Sequence, residues 1–363
     1  MNYFVQEIAR NYLKNLPDGT EEFTVHQKHL HGLSEEEFKD GYYALILFMR
    51  GLYADIIKDP SSFGMPLIDA ATGDHGVDYS KSHSGFVRVP RLLLAIGLAG
   101  MLNTDMTLSI SGGEFLKITK KLIVTGVNSL LQHLADYGFE ITGFAKKVNL
   151  YDEITIGYPD CRALPAVLSS FAKAHTAATS GRWYADIEHF YMMTPQLIES
   201  ETPKIKFGIE YLYRCLNGEN REIAKVLHDF VVGKNHKTKT LFSGFMRNIW
   251  TCSYTGIKTK KTIMSLKTRQ DRLRVKLNLE NIREYMDAIM QMPGYIRENI
   301  RSNGDPCNRS HQCFSKCIGG FAFEMDGIAY KTCRVSAFWF NNLSIDDIPY
   351  IKNLLELEMR RDY

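Results

Sequence analysis

A chain of 363 residues is long enough for two or three domains. With 45% hydrophobic and 23% charged residues it sits near the globular average, which excludes extended disorder. The net charge of +3 hides an uneven spread: between Lys234 and Lys276 stand twelve Lys or Arg and one acid, Asp271, leaving 32 basic and 40 acidic residues elsewhere, a net of −8. Such asymmetry speaks to partners rather than to fold.

No basic stretch followed by an apolar run opens the chain, so a secretory leader is not expected. The most apolar segment, residues 92–102, is far shorter than the ~20 residues of a membrane span. A cytoplasmic location with no membrane partner is expected. Seven cysteines, an odd number, argue against a disulfide framework.

In chain order, Phe4, Val5, Ile8, Ala9, Tyr12 and Leu13 share one face of a helix over residues 2–15. Ser34-Glu35-Glu36-Glu37 is a capping box for a long helix to residue 57, closed by Asp59-Pro60. Residues 61–88 read as a polar, Gly-containing loop. Pro90 opens a helix through Leu102. A short strand follows at Thr107–Ser111, then a helix near Glu114–Lys121. A second helix, Gly126–Tyr137, is capped by Thr125 and ended by Gly138. Strands 139–144 and 152–158 form a hairpin whose loop holds Lys146 and Lys147.

Helix, helix, then hairpin with a basic loop resembles a winged helix over about residues 90–160. The resemblance implies a recognition helix presenting Thr125, Asn128, Gln132 and His133, with Lys146 and Lys147 on the wing. Such side chains read base edges. Winged helices also serve as packing modules, so both roles stay open.

A helix follows over 166–174, residues 178–181 mark a domain boundary, and 183–232 read as mostly helical. Residues 233–239 read as a basic linker. The period then changes to two: Trp250, Cys252 and Tyr254 alternate with hydroxyls, and residues 272–277 alternate strictly. This predicts an antiparallel sheet with an apolar inner and a basic outer face. Helices at 280–291 and 294–301, a hairpin about Asp326-Gly327 and a final helix capped by Ser344 complete the chain.

The fold class is therefore α+β: a mostly helical N-terminal half with the winged-helix-like unit, and a C-terminal antiparallel sheet with helices and a Cys-rich loop. Boundaries are expected at 1–177, 178–240 (a helical connector) and 241–363.

Cys307, Cys313, Cys317 and Cys333 fall within 27 residues in the spacing C-x5-C-x3-C-x15-C, with His311 among them. Four soft ligands on a tight loop suit tetrahedral Zn²⁺ in a structural role. Ordinary reduced thiols are the competing reading. Cys161, Cys215 and Cys252 are scattered and read as core.

Lys258, Lys260, Lys261, Lys267, Arg269, Arg272, Arg274 and Lys276 crowd one face or edge of the expected sheet, with Phe242, Phe245, Trp250 and Tyr254 nearby for base stacking. The partner is then nucleic acid or a phosphorylated ligand. A solvated face, or edge strands guarded by charge, is the alternative. His26, His29 and His31 near Glu21 and Glu22, and Asp69, Asp74, His75, Asp78 and His83, are lesser metal candidates, and Gly112-Gly113 before a helix is a lesser anion cradle. No G-x-G-x-x-G, P-loop, H-E-x-x-H or G-x-S-x-G is present. The sequence thus points to a non-enzymatic binding or regulatory protein. An enzyme or receptor with a pocket between the halves, and an adaptor using residues 183–232, are the alternatives.

Overall fold

A computed structural model describes residues 2–144, 151–178, 187–203, 205–243, 248–269, 272–302, 321–332 and 338–360. The protein is α+β and divides into two compact units, residues 1–206 and 207–363. That division falls inside the expected connector 178–240 and assigns its long helix to the second unit.

The first unit comprises α1 (Phe4–Asn15), α2 (Glu35–Lys58), α3 (Val77–Phe86), α4 (Arg88–Ala99), β1 (Met101–Leu102), β2 (Leu108–Ser111), α5 (Gly112–Lys121), α6 (Val127–Asp136), β3 (Glu140–Thr142), β4 (Glu153–Gly157), α7 (Leu164–Ala178) and α8 (Glu188–Tyr191). Ser34 starts α2 as expected, taking the Glu37 amide while the Glu37 carboxylate takes the Ser34 amide at 2.7 Å. The core sits around α7, buried on nearly every side from Leu164 to Ala174. Glycines on two neighbouring helices let them come close to it. A methyl added to Gly41 of α2 would lie 2.8 Å from Val167, and one added to Gly97 of α4 would lie 2.6 Å from the Leu168 carbonyl.

The strands β1-β2-β4-β3 form one antiparallel sheet, with Ile110 opposite Ile154 and Ile141 opposite Ile156. Three local expectations are corrected here. The segment 61–88 is not all loop, because α3 lies within it. Asp74 accepts the Gly76 and Val77 amides where α3 begins. Thr125 does not cap α6. Gly126 does, in a left-handed conformation at φ +69° and without a side-chain bond. Gly112 is placed by close approach rather than as an anion cradle: a methyl there would stand within van der Waals overlap of the Tyr151 carbonyl.

The second unit comprises α9 (Glu210–Arg214), α10 (Gly218–Gly233), β5 (His236–Phe242), β6 (Trp250–Gly256), β7 (Thr262–Arg269), β8 (Arg272–Leu277), α11 (Met286–Met290), α12 (Gly294–Ser302), β9 (Phe321–Met325), β10 (Ile328–Thr332), β11 (Phe338–Asn341) and α13 (Ile348–Met359). Five strands pair antiparallel in the order β11-β8-β7-β6-β5. The residues read as a basic linker therefore supply most of an edge strand, β5. The β9–β10 hairpin turns at Asp326 and Gly327, both at positive φ (51° and 73°), as an Asp-Gly turn requires. Helices α9, α10, α12 and α13 pack on the sheet. Trp250, Cys252, Tyr254, Leu266, Val275 and Phe340 make up much of its buried inner face.

Candidate nucleic-acid interface

Antiparallel register sorts side chains by face, since neighbours along a strand point opposite ways. With Trp250, Cys252 and Tyr254 inward, Thr251, Ser253 and Thr255 point outward. Register then carries that face across the sheet. One row is Leu241, Thr251, Lys267, Arg274 and Asn341; the next is Lys239, Ser253, Ser265, Lys276 and Trp339. The five strands together carry seven Lys or Arg and no Asp or Glu.

Charge is concentrated on the two inner strands β7 and β8. Lys267 stands directly opposite Arg274. Like charges placed opposite one another destabilise a pair of strands. Guarding an edge against aggregation explains cations on β5, but β7 and β8 are flanked on both sides and have no edge to guard.

Trp339 lies among these cations. The Arg274 guanidinium stands 4.5 Å from its ring centroid, and the Lys276 and Lys267 ammonium groups stand at 5.8 and 5.9 Å. Since β11 and β7 are separated by β8, Lys267 and the indole meet only by reaching toward each other over Arg274 and Lys276. Arg274 is further held by donating from Nε to the Asn341 side-chain oxygen at 2.7 Å. Hydroxyls occupy much of the middle of the face, with Ser253 and Ser265 oxygens 3.2 Å apart and those of Thr255 and Thr262 at 3.3 Å.

The expected site residues divide accordingly. Arg274 and Lys276 share the outward face with Lys267. Arg272 begins β8 and lines a cleft of about 500 Å³ with Glu219, Asn220, Asn342 and Leu343. Lys258 and Lys260 are exposed in the β6–β7 turn, and Lys261 pairs with Glu280 at 2.7 Å. Of the expected stacking aromatics, Trp250 and Tyr254 are fully buried and so cannot stack on bases. Trp250 packs against Phe207, Tyr211 and Phe242 at 4.9, 5.1 and 4.6 Å, and the Tyr254 hydroxyl lies 2.9 Å from His228 Nδ1. Phe245 lies outside the described residues. The aromatic that does face outward, Trp339, escaped the sequence reading, as did Lys237 and Lys239 of β5.

On α6, Asn128 accepts the Tyr151 hydroxyl at 2.7 Å, Gln132 donates to Asp136 at 3.3 Å, and the His133 ring lies 4.6 Å from that of Phe63. The exposed positions of α6 are Ser129, Gln132 and Asp136, none of them basic. Lys146 and Lys147 lie outside the described residues, as do Cys307, Cys313, Cys317, Cys333 and His311.

Among the described residues no group of three or more His, Cys, Asp or Glu side chains is arranged to hold a metal. Neither lesser metal candidate assembles. His29 lies 3.3 Å from the Ser200 carbonyl, His83 lies 3.2 Å from the Tyr12 hydroxyl, and Asp69 accepts the Ala71 amide. Cys215 and Cys252 are buried as expected, whereas Cys161 is partly exposed. A cleft of about 680 Å³ in the first unit is lined by residues including Glu21, Phe23, Lys39 and Tyr43, but Lys39 is paired with Glu35 at 2.7 Å, and Glu21 accepts the Asp18 and Gly19 amides. Among the described residues no helix is long and apolar enough to cross a membrane. Comparison with family models, curated proteins and solved structures returned no match.

Proposed function

We propose that the chain is a binding protein for nucleic acid, and that the outward face of the five-stranded sheet is where it binds. The observation that carries this reading is a sheet whose five strands hold seven Lys or Arg and no Asp or Glu, with Lys267 set opposite Arg274 on inner strands. An ordinary solvated face mixes both signs. A polyanion laid across Lys267, Arg274 and Lys276 meets three cations on neighbouring strands and releases its own counterions. A small phosphorylated ligand needs only one or two of these cations, whereas their spread from β5 to β8 suits a polymer.

The region 88–157 is read as a winged helix serving as a packing module. Its support is the order α4, β2, α5, α6, then the β3–β4 hairpin, with β4 between β2 and β3, and an α6 surface without exposed cations. Cys307, Cys313, Cys317 and Cys333, or His311 in place of one of them, are read as a structural Zn²⁺ site on the chemistry of the donor set. About one zinc per chain, lost in Cys313→Ser, is expected by elemental analysis; metal-free protein with every thiol open to labelling would remove that part of the reading.

The binding reading is tested by fluorescence anisotropy with labelled oligonucleotides over a range of salt. Affinity is expected to fall as salt rises, and Lys267→Ala/Arg274→Ala/Lys276→Ala is expected to weaken it. No salt-dependent binding to single or double strands would overturn it.

A further inference from the structure

We propose that the nucleic acid taken by this face is single-stranded, with a base stacked on Trp339 and the flanking phosphates held by Lys267, Arg274 and Lys276. This deepens the reading of the sheet as a nucleic-acid surface and rests on it.

The first argument is shape. Four inter-strand steps of ~4.8 Å make the face roughly 19 Å across. A duplex is read by an element that enters a groove, and the B-DNA major groove is only ~12 Å wide. The outward positions of β5 to β8 themselves belong to a broad sheet, not to a helix or a two-stranded ribbon. A single strand needs no groove-filling element, because it can lie flat with its bases turned to the protein.

The second argument is the position of Trp339. An indole on a sheet face is costly to leave against water, and this one is only partly covered. Arg274 stands over the ring, and the area left open is available to a base. The resulting guanidinium, indole and base arrangement puts one stacking surface within reach of three phosphate-binding cations. Duplex bases offer no open π-face, so the indole contributes nothing there.

The third argument is what stands around it. Outward Thr251, Ser253 and Thr255 give donors and acceptors without charge. None places a carboxylate against the backbone of a strand crossing from Trp339 toward Lys239.

The test uses the full chain and a fluorescein-labelled oligodeoxythymidylate of about 12 nucleotides, within the span of common single-strand sites. The same label on a duplex of equal length is the comparison, and oligouridylate distinguishes RNA from DNA. The single strand is expected to bind at least about ten-fold tighter than the duplex, and Trp339→Leu to lose about ten-fold on the single strand only, at unchanged salt dependence. Trp339→Phe keeps a ring and is expected to retain most of the affinity, which guards against a misfolded Leu variant. Equal binding of both forms, unmoved by Trp339→Leu but weakened by Lys267→Ala/Lys276→Ala, would overturn the single-strand proposal while leaving the nucleic-acid reading standing. A preference for duplex would do the same. Absence of salt-dependent binding to every probe would remove both.

Discussion

Two buried titratable groups show how single residues tie this fold to pH, with opposite signs. His83 of α3 is pushed down to about 4, first by burial and then by the Arg91 charge, and its Nε2 lies 3.2 Å from the Tyr12 hydroxyl. Its folded value lies below the unfolded one, so the unfolded chain binds more protons between the two. The stability it supports is present above pH ~6.5 and is lost as pH falls toward about 4. Each pKa unit is worth about 1.4 kcal/mol, so His83→Gln is expected to narrow the gap in urea-unfolding free energy between pH ~7 and ~4.5 by about 1–3 kcal/mol. Equal gaps in the two proteins would refute this. Glu358 of α13 behaves the other way. Burial raises it, although it accepts from the Tyr285 hydroxyl and from the Asn281 backbone and side-chain amides. The stability tied to its protonated form is present in acid and lost as pH rises through the raised value. Tyr285→Phe removes a donor that favours the carboxylate, at a cost of about 1.5–3 kcal/mol near neutrality. That cost should shrink near pH ~4, where the carboxyl is neutral. Unfolding titrations of the variant at both pH values check the sign.

Elements were legible in the sequence wherever one face is apolar and the other is not. The spacing of Phe4, Ile8 and Tyr12 gave α1, and the alternation at 250–256 and 272–277 gave β6 and β8. The edge strand β5 was not legible, because its inward positions Thr238 and Thr240 are polar and the period-two signal vanished. Helix α3 was hidden for a similar reason: Asp74, Gly76, Ser80 and Ser84 read as loop, while only Tyr79, Ser82 and Phe86 are buried. Trp339 had a usable signal. A strand through Phe338-Trp339-Phe340 that buries both phenylalanines must turn the middle residue outward. That Lys267, Arg274 and Lys276 share a face was expected; that they gather around Trp339 was not, since only register sets Trp339 opposite Lys276. Helix packing adds a contrast that can be tested. Gly97 meets the α7 backbone, so Gly97→Val overpacks that contact and should cost about 1–3 kcal/mol. Gly51 of α2 is exposed, with nothing within 4 Å of an added methyl, so Gly51→Ala should gain about 0.5–1 kcal/mol. Thermal melts of the two variants should move in opposite directions.

At the scale of the whole chain, charge is sorted rather than balanced. Residues 234–276 hold twelve cations against one acid, and the remainder carries a net of −8. A polyanion is therefore drawn to one segment and repelled by the rest, which favours a defined footprint over coating of the surface. The size of that footprint can be read from salt. Binding that neutralises Z phosphates of a single strand gives a slope of about −0.7Z in log K against log salt. If Lys237, Lys239, Lys267, Arg274 and Lys276 all engage, the slope is about −3.5, and affinity falls roughly a hundred-fold between about 50 and 200 mM salt. Replacing the last three with alanine leaves two cations and a slope of about −1.4. Trp339→Leu changes affinity but no counterion count, so its slope should stay with that of the parent. A triple variant that weakens binding at unchanged slope would mean that these cations shape the face without touching phosphate, and would move the footprint to Lys258 and Lys260 in the β6–β7 turn.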